Sequence, residues 1–163
     1  ASRFWAVLIG IDAYEGISLH GCVSDALLMK NFLIDDLGVP KERIQCLLGS
    51  HDPLPNGALT PSRANIVNTL YSLIHNREIQ LGNNIIIYYA GHGSSYQCSM
   101  HSATAKSKCS RNFCPVEALC PIDRDTKDAD GRWIPDISDR EINALFTQIC
   151  LAKGYRITFI ADC

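Results

Sequence analysis

The sequence predicts an α/β domain with a mainly parallel sheet covered by helices on both faces. Three observations predict it. Short apolar runs recur at Phe4–Ile11, Arg43–Leu48, Asn84–Ala90 and Arg156–Ala161. Segments with three- and four-residue apolar spacing lie between them. Two of the runs stop at chemically reactive side chains, Gly91-His92-Gly93 and Asp162-Cys163. That placement suits a sheet whose site lies beyond the carboxyl ends of its strands. Apolar strands alternating with helices bury both faces of a parallel sheet, and right-handed crossovers leave few topologies.

Taken in order, Phe4 to Ile11 is an almost unbroken apolar run and reads as a buried strand. Gly21 to Leu37 has helical periodicity through Val23, Ala26, Leu27, Met29, Lys30, Phe32, Leu33 and Leu37, and Gly38 closes it. Arg43 to Leu48 is the second strand, and the turn formers of 49–57 follow as a loop. Thr60-Pro61 reads as an N-cap followed by proline at the first helical position, opening a helix through Ile66, Leu70, Leu73 and Ile74. Asn84 to Ala90 is the third strand. Residues 94–118 are polar, rich in Ser and Cys and without period, and read as one long loop insertion. Ser138-Asp139-Arg140-Glu141 reads as a capping box for a helix through Ile142, Leu145, Phe146 and Ile149, ending at Gly154. The last strand follows, giving one domain over 1–163.

A chain of 163 residues with 47% hydrophobic and 20% charged residues can bury a sizeable core. Its net charge of −2 offers no electrostatic footprint for nucleic acid or an anionic membrane. No apolar run approaches a membrane span, and no signal-peptide pattern is present, so the expected setting is cytoplasmic or nuclear and not secretory. The start directly before a strand reads as a trimmed N-terminus. The eight cysteines are then expected as thiols in a reducing compartment. Cys46 and Cys150 fall in apolar periodic segments, whereas Cys98, Cys109, Cys114 and Cys120, with His101, form a cluster that lacks any CxxC pair. That spacing is weak for zinc and leaves a disulfide or mobile thiols as alternatives.

The reactive groups suggest a Cys–His pair. An imidazole accepts a thiol proton and later protonates a leaving amine. Gly93 leaves its backbone N–H open as an oxyanion donor. The acidic stretch Asp123, Asp125, Asp128, Asp130, Asp136 and Asp139 has oxygen ligands suited to calcium, but it fails the EF-hand spacing, with Thr126 and Ile137 at the first and twelfth positions. Gly10-Ile11-Asp12 carries neither nucleotide-binding glycine pattern.

Five segments together resemble a fungal-type (type I) metacaspase: Gly21-Cys22-Val23-Ser24-Asp25-Ala26, Tyr88-Tyr89-Ala90-Gly91-His92-Gly93, Cys120-Pro121-Ile122-Asp123, Ile137-Ser138-Asp139-Arg140-Glu141-Ile142 and Ile160-Ala161-Asp162-Cys163. Their order and spacing correspond to the large, p20-like subunit of the caspase-like three-layer sandwich, without the C-terminal strands of the small subunit. The resemblance implies a calcium-stimulated cysteine endopeptidase acting on proteins with Arg or Lys at P1, with a small p10-like subunit as partner. It implies His92 as general base and acid, and Asp25 and Asp162 as the acids that receive the basic P1 side chain. Paired carboxylates suit that cation and disfavour an acidic one. The family pattern runs Asp, Ser or Cys, then the catalytic Cys. In that register Cys163 is the residue before the nucleophile and this chain alone is inactive; a one-residue slip makes Cys163 the nucleophile. The family's calcium site maps onto Asp123 and Asp139, with Arg140 where its next acidic ligand falls. The alternative from a different class is a catalytically dead caspase-like module that acts in binding or assembly.

Overall fold

The computed structural model of the chain describes residues 2–53, 57–97 and 115–163. Their order is β1 (Phe4–Ile11), α1 (Cys22–Asp35), β2 (Ile44–Gly49), α2 (Arg63–His75), β3 (Asn84–Ala90), β4 (Gly93–Gln97), β5 (Pro115–Leu119), β6 (Ile137–Ser138), α3 (Asp139–Lys153) and β7 (Ile157–Asp162). Strands β2-β1-β3-β7 form a parallel sheet in that order. Its register pairs Gly10 with Ala90 and Ala90 with Asp162, so the carboxyl ends of β1, β3 and β7 stand level.

Alternation along the strands builds the three layers. Ala6, Leu8, Tyr88 and Ala90 face α1 and pack with its Val23, Ala26 and Leu33. Val7, Ile9, Ile11, Ile85, Ile87 and Tyr89 face the other way, onto Ile66, Leu70 and Leu73 of α2 and Ile142, Leu145 and Ile149 of α3. This is the caspase-like α/β sandwich expected from the sequence. No helix among the described residues is long and apolar enough to cross a membrane.

Three local readings are corrected. Residues 94–118 are not all loop: β4 and β5 pair antiparallel, from Gly93 with Leu119 to Gln97 with Pro115, and β6 extends them into a second sheet. The polar, largely exposed β4 has no apolar face to announce it. The zinc candidates Cys98, His101, Cys109 and Cys114 lie outside the described residues, while Cys120 is buried in the core as a free thiol. The N-cap of α2 is Ser62, whose hydroxyl accepts the Asn65 N–H at 3.2 Å; Thr60 contributes only a carbonyl, to the Asn65 side chain. The α3 capping box is half built. Ser138 accepts the Glu141 N–H, but the Glu141 carboxylate reaches across to Arg63 of α2 at 2.6 Å.

Gly10 sets how closely α1 crosses the end of β1. A Cβ there would lie 2.5 Å from the Cys22 carbonyl oxygen and 2.9 Å from the Ala26 Cβ. Gly10→Ala therefore forces α1 away from the sheet. Overpacking of that kind costs about 1–3 kcal/mol, and we expect it as a lower denaturant midpoint in equilibrium unfolding.

Candidate functional site

His92 stands two residues beyond β3, between the parallel sheet and the antiparallel one. Two phenols hold its backbone. The His92 N–H donates to the Tyr14 hydroxyl at 3.0 Å, and that hydroxyl donates to the Cys120 carbonyl at 3.0 Å. The Tyr89 hydroxyl donates to the His92 carbonyl at 2.7 Å and accepts the Cys120 N–H at 3.2 Å. The two hydroxyls lie 3.2 Å apart. One proton arrangement thus satisfies both peptide groups, with each phenol bridging from His92 to Cys120. Gly91 makes room: a Cβ there would meet the two hydroxyl oxygens at 2.5 and 2.8 Å. Burial pushes the Tyr14 phenol up to about 12 and raises that of Tyr89 as well.

The imidazole is oriented separately. Its Nε2 lies 2.8 Å from the Ile17 carbonyl oxygen, and its ring packs on Tyr14 with centroids 4.6 Å apart. A carbonyl has no proton to give, so Nε2 is the protonated nitrogen. In the neutral ring Nδ1 keeps its lone pair.

The predicted P1 acids meet on the α1 side of the sheet. Gly21, the residue before α1, has a φ of 112° and no side chain to cap the helix. Asp12, just past β1, does so instead: its carboxylate accepts the Cys22 N–H at 2.9 Å and the Val23 N–H at 3.3 Å. Asp25 lies in the first turn of the same helix, and Asp162 ends β7 level with Ala90. Burial and the charges of Asp12, Asp25 and Asp162 push the Cys22 thiol up to about 11, so it stays protonated at neutral pH. The same two outer acids, after burial, raise the phenol of Tyr88. None of the three carboxylates is in an ion pair among the described residues. The result is a concentrated negative charge that a cation would relieve. No motif of the sequence announces Asp12 as this cap. The local signal for it is a glycine where α1 needs a cap.

Cys163 lies on the opposite face from Asp162. With Phe159 and Ala161, two and four residues before it, it lines a cavity of ≈ 320 Å³ against Ile142, Asn143 and Phe146 of α3. His92 lines a different cavity, of ≈ 240 Å³, with Tyr14, Ile17, Arg124 and Asp125. Gly93 borders both. A Cβ on Gly93 would come within 3.3 Å of the Cys163 sulfur, so glycine allows the end of β7 to approach. His92 and Cys120 stand as a hydrogen-bonded ladder pair, with the Cys120 N–H on the His92 carbonyl at 3.0 Å and Tyr14 inserted into the reciprocal bond. The alternation of an antiparallel ladder then turns the N–H of Gly93 outward, free of β5.

The acidic stretch is largely spent on other contacts. Asp123 accepts the Arg63 N–H at the start of α2 at 2.8 Å, and Asp139 accepts the N–H of Arg140 at 2.7 Å. Asp136 holds Ser94 and Arg124, while Asp128 and Asp130 pair with Arg132. Among the described residues no group of three or more His, Cys, Asp or Glu side chains converges to hold a metal. Asp123 and Asp139 as placed therefore do not fit a calcium cage.

Comparisons with known proteins agree on one family. A model of the metacaspase, peptidase C14 domain matches residues 5–163. The chain is similar to Metacaspase-1 of Eremothecium gossypii, 29% identical over 96% of this chain and 30% of that protein. It is 30% identical to Metacaspase-9 of Arabidopsis thaliana, over 96% of this chain and 41% of that protein. Metacaspase-5 of Trypanosoma cruzi matches at 27% over 99% and 32%. The chain thus spans well under half the length of these relatives. Among solved structures, a Geobacter sulfurreducens protein superposes with a TM-score of 0.63 at 18% identity, over 98% of this chain and 49% of that one, a likeness of fold.

The tyrosine clamp has a measurable signature. Tyr14→Phe leaves the buried His92 N–H short of a partner, which costs about 1–3 kcal/mol, seen as a lower melting temperature; Tyr89→Phe costs less, because the His92 carbonyl and the Cys120 N–H keep their direct bond at 3.0 Å. The folded-state value of Tyr14 is raised from 10.0 to about 12. The unfolded chain therefore loses that proton first, and stability falls as pH rises between those values. Tyr14→Phe flattens that part of an alkaline denaturation curve.

Proposed function

The chain belongs to the metacaspase family of peptidase C14, and from that membership we propose that it forms the p20-like part of a cysteine endopeptidase that cleaves after Arg or Lys. The observation that carries the specificity is the convergence of Asp12, Asp25 and Asp162 around Cys22, with no cation of the described residues paired to them. A guanidinium or ammonium entering there meets carboxylates on several sides, whereas an acidic side chain is repelled.

In this reading the reacting thiol gives its proton to Nδ1 of His92, because Nε2 is held by Ile17. The sulfur bonds to the scissile carbonyl carbon while the carbonyl oxygen takes the negative charge. The outward N–H of Gly93 donates to that oxygen, and one such donor is worth about 10²–10³ in rate. The C–N bond then breaks as Nδ1 returns the proton to the leaving amine, and water hydrolyses the thioester. Cys163 is the position before the reacting thiol, not the thiol itself. Neighbouring residues of a strand point to opposite faces, and Asp162 already takes the face of the cation pocket. The described residues give calcium no cage of three or more His, Cys, Asp or Glu side chains.

The partner side of the proposal rests on β7. It is an edge strand of the parallel sheet, with Phe159 38% and Ile160 36% exposed. A p10-like subunit adding a strand there would cover them. The same open edge supports the second reading, a non-catalytic module that acts through strand pairing.

Two measurements separate these readings. Benzamidine or arginine amide, titrated into this chain, should raise its melting temperature and perturb amides of α1 and β7; Asp25→Asn and Asp162→Asn should each weaken that binding about tenfold or more. Equal binding to the variants sinks the pocket. In the full-length protein, turnover of an Arg-P1 peptide should fall by about 10²–10⁴ for His92→Ala and persist in Cys163→Ala. Abolition by Cys163→Ala overturns the register, turnover indifferent to His92→Ala overturns the role of His92, and absence of turnover in the unsubstituted protein favours the non-catalytic module. Millimolar calcium should leave the melting temperature of this chain unchanged, since a bound ligand would raise it.

A further inference from the structure

A second cleft lies away from this site. It runs between the flank of α1 and β2, at the sheet edge opposite β7 and separated from it by β1 and β3. Its volume is ≈ 410 Å³, within the roughly 300–1,000 Å³ common for small-molecule sites. It exists because small residues stand where bulk would fill it. On the α1 side of β2, the well-buried Ile44 and Leu48 flank a half-buried Cys46, and Gly57 and Ala58 form the far wall. That wall is fixed to the strand: Leu59 accepts the Leu48 N–H at 2.9 Å and donates to the Cys46 carbonyl at 3.0 Å.

Lys30 of α1 and Lys41 both line this cleft, and neither has a carboxylate partner among the described residues. Gln45 adds a polar amide to the lining, and Leu27, Ile44, Leu48 and Leu59 form an apolar floor beside it. The Cys46 thiol does not serve as the missing anion. Burial pushes it up more than the Lys30 charge pulls it down, so it is protonated at neutral pH. Two cations over an apolar floor call for a negatively charged head on a hydrophobic body.

We propose that the cleft between α1 and β2 binds a small amphipathic anion, a carboxylate on an alkyl or aryl body, with Lys30 and Lys41 holding the head and Leu27, Ile44 and Leu59 the body. The site is independent of the peptidase reading. It shares no lining residue with the cavities at His92 and Cys163.

The test is a titration of this chain with octanoate, with 1-octanol and with inorganic phosphate at constant ionic strength, followed by amide chemical shifts and melting temperature. Octanoate should shift amides of α1, β2 and residues 57–59, and raise the melting temperature. Octanol and phosphate should each bind at least about tenfold more weakly. Lys30→Gln with Lys41→Gln should cut octanoate affinity about tenfold, the scale of a lost charged hydrogen bond, with circular dichroism showing the fold retained. Octanol binding as well as octanoate, phosphate binding as well as octanoate, affinity unchanged in the double variant, or shifts that do not localise to the cleft would each overturn the proposal.

Discussion

The candidate site depends on a pair of buried phenols. Tyr14 and Tyr89 sit where the parallel sheet hands the chain to the antiparallel one, and their hydroxyls span the His92 and Cys120 peptides. In a plain ladder those two residues would exchange both of their backbone bonds directly. Here Tyr14 is inserted into one of them, and the space its oxygen needs is the space Gly91 leaves. The His92 backbone is thereby anchored to β5 and to the loop after β1 at once. Its ring is then aimed by a third group, the Ile17 carbonyl. Tyr14 serves both backbone and ring, since the imidazole also packs on its ring, whereas Tyr89 holds the backbone and Ile17 aims the ring. Because burial raises both phenols, the clamp stays neutral across the physiological range.

Strand parity distributes the chemistry around that anchor. Gly10, Asp12, Ala90 and Asp162 belong to the α1 face, and Ile11, Tyr89 and Cys163 to the other. Carboxylates therefore accumulate on one side of the strand ends and an apolar cavity on the other, with Gly93 between them. The N-terminus of α1 helps sustain this charge. Its free N–H groups stabilise Asp12 directly, and its dipole favours Asp25 in the first turn. The acids of the 123–139 segment behave differently. They are consumed by Arg63, Arg124, Arg132 and backbone N–H groups, which turns a cation-binding composition into structural ties.

The parallel sheet and its helices were legible because their signal is apolar periodicity, which burial on both faces imposes. The level of His92 and Asp162 followed from reading where the runs stop. What was not legible depended on contacts distant in sequence. β4 carries serines, a tyrosine and a glutamine on exposed backbone, so its partner β5 defines it and its own pattern does not. Glu141 looked committed to its own helix start, and only the approach of Arg63 draws it away. Tyr88 and Tyr89 read equally as strand aromatics. Alternation assigns one to the acids and the other to the clamp, and Tyr14 has no local pattern that reveals its partner 75 residues away.

One helix ties the two binding regions together. The first turn of α1 supplies Cys22 and Asp25 to the acidic pocket, and its next turns supply Leu27 and Lys30 to the lysine cleft. Gly10 fixes the height of that helix over β1 with no slack, since even a methyl group would collide with the Cys22 carbonyl. The tight contact lies at the acidic end of α1, next to the Cys22 peptide that Asp12 caps. Along the same helix the charge changes sign, from Asp25 in the first turn to Lys30 further on. Close packing at Gly10 and the Asp12 cap therefore fix the register in which α1 presents both charges.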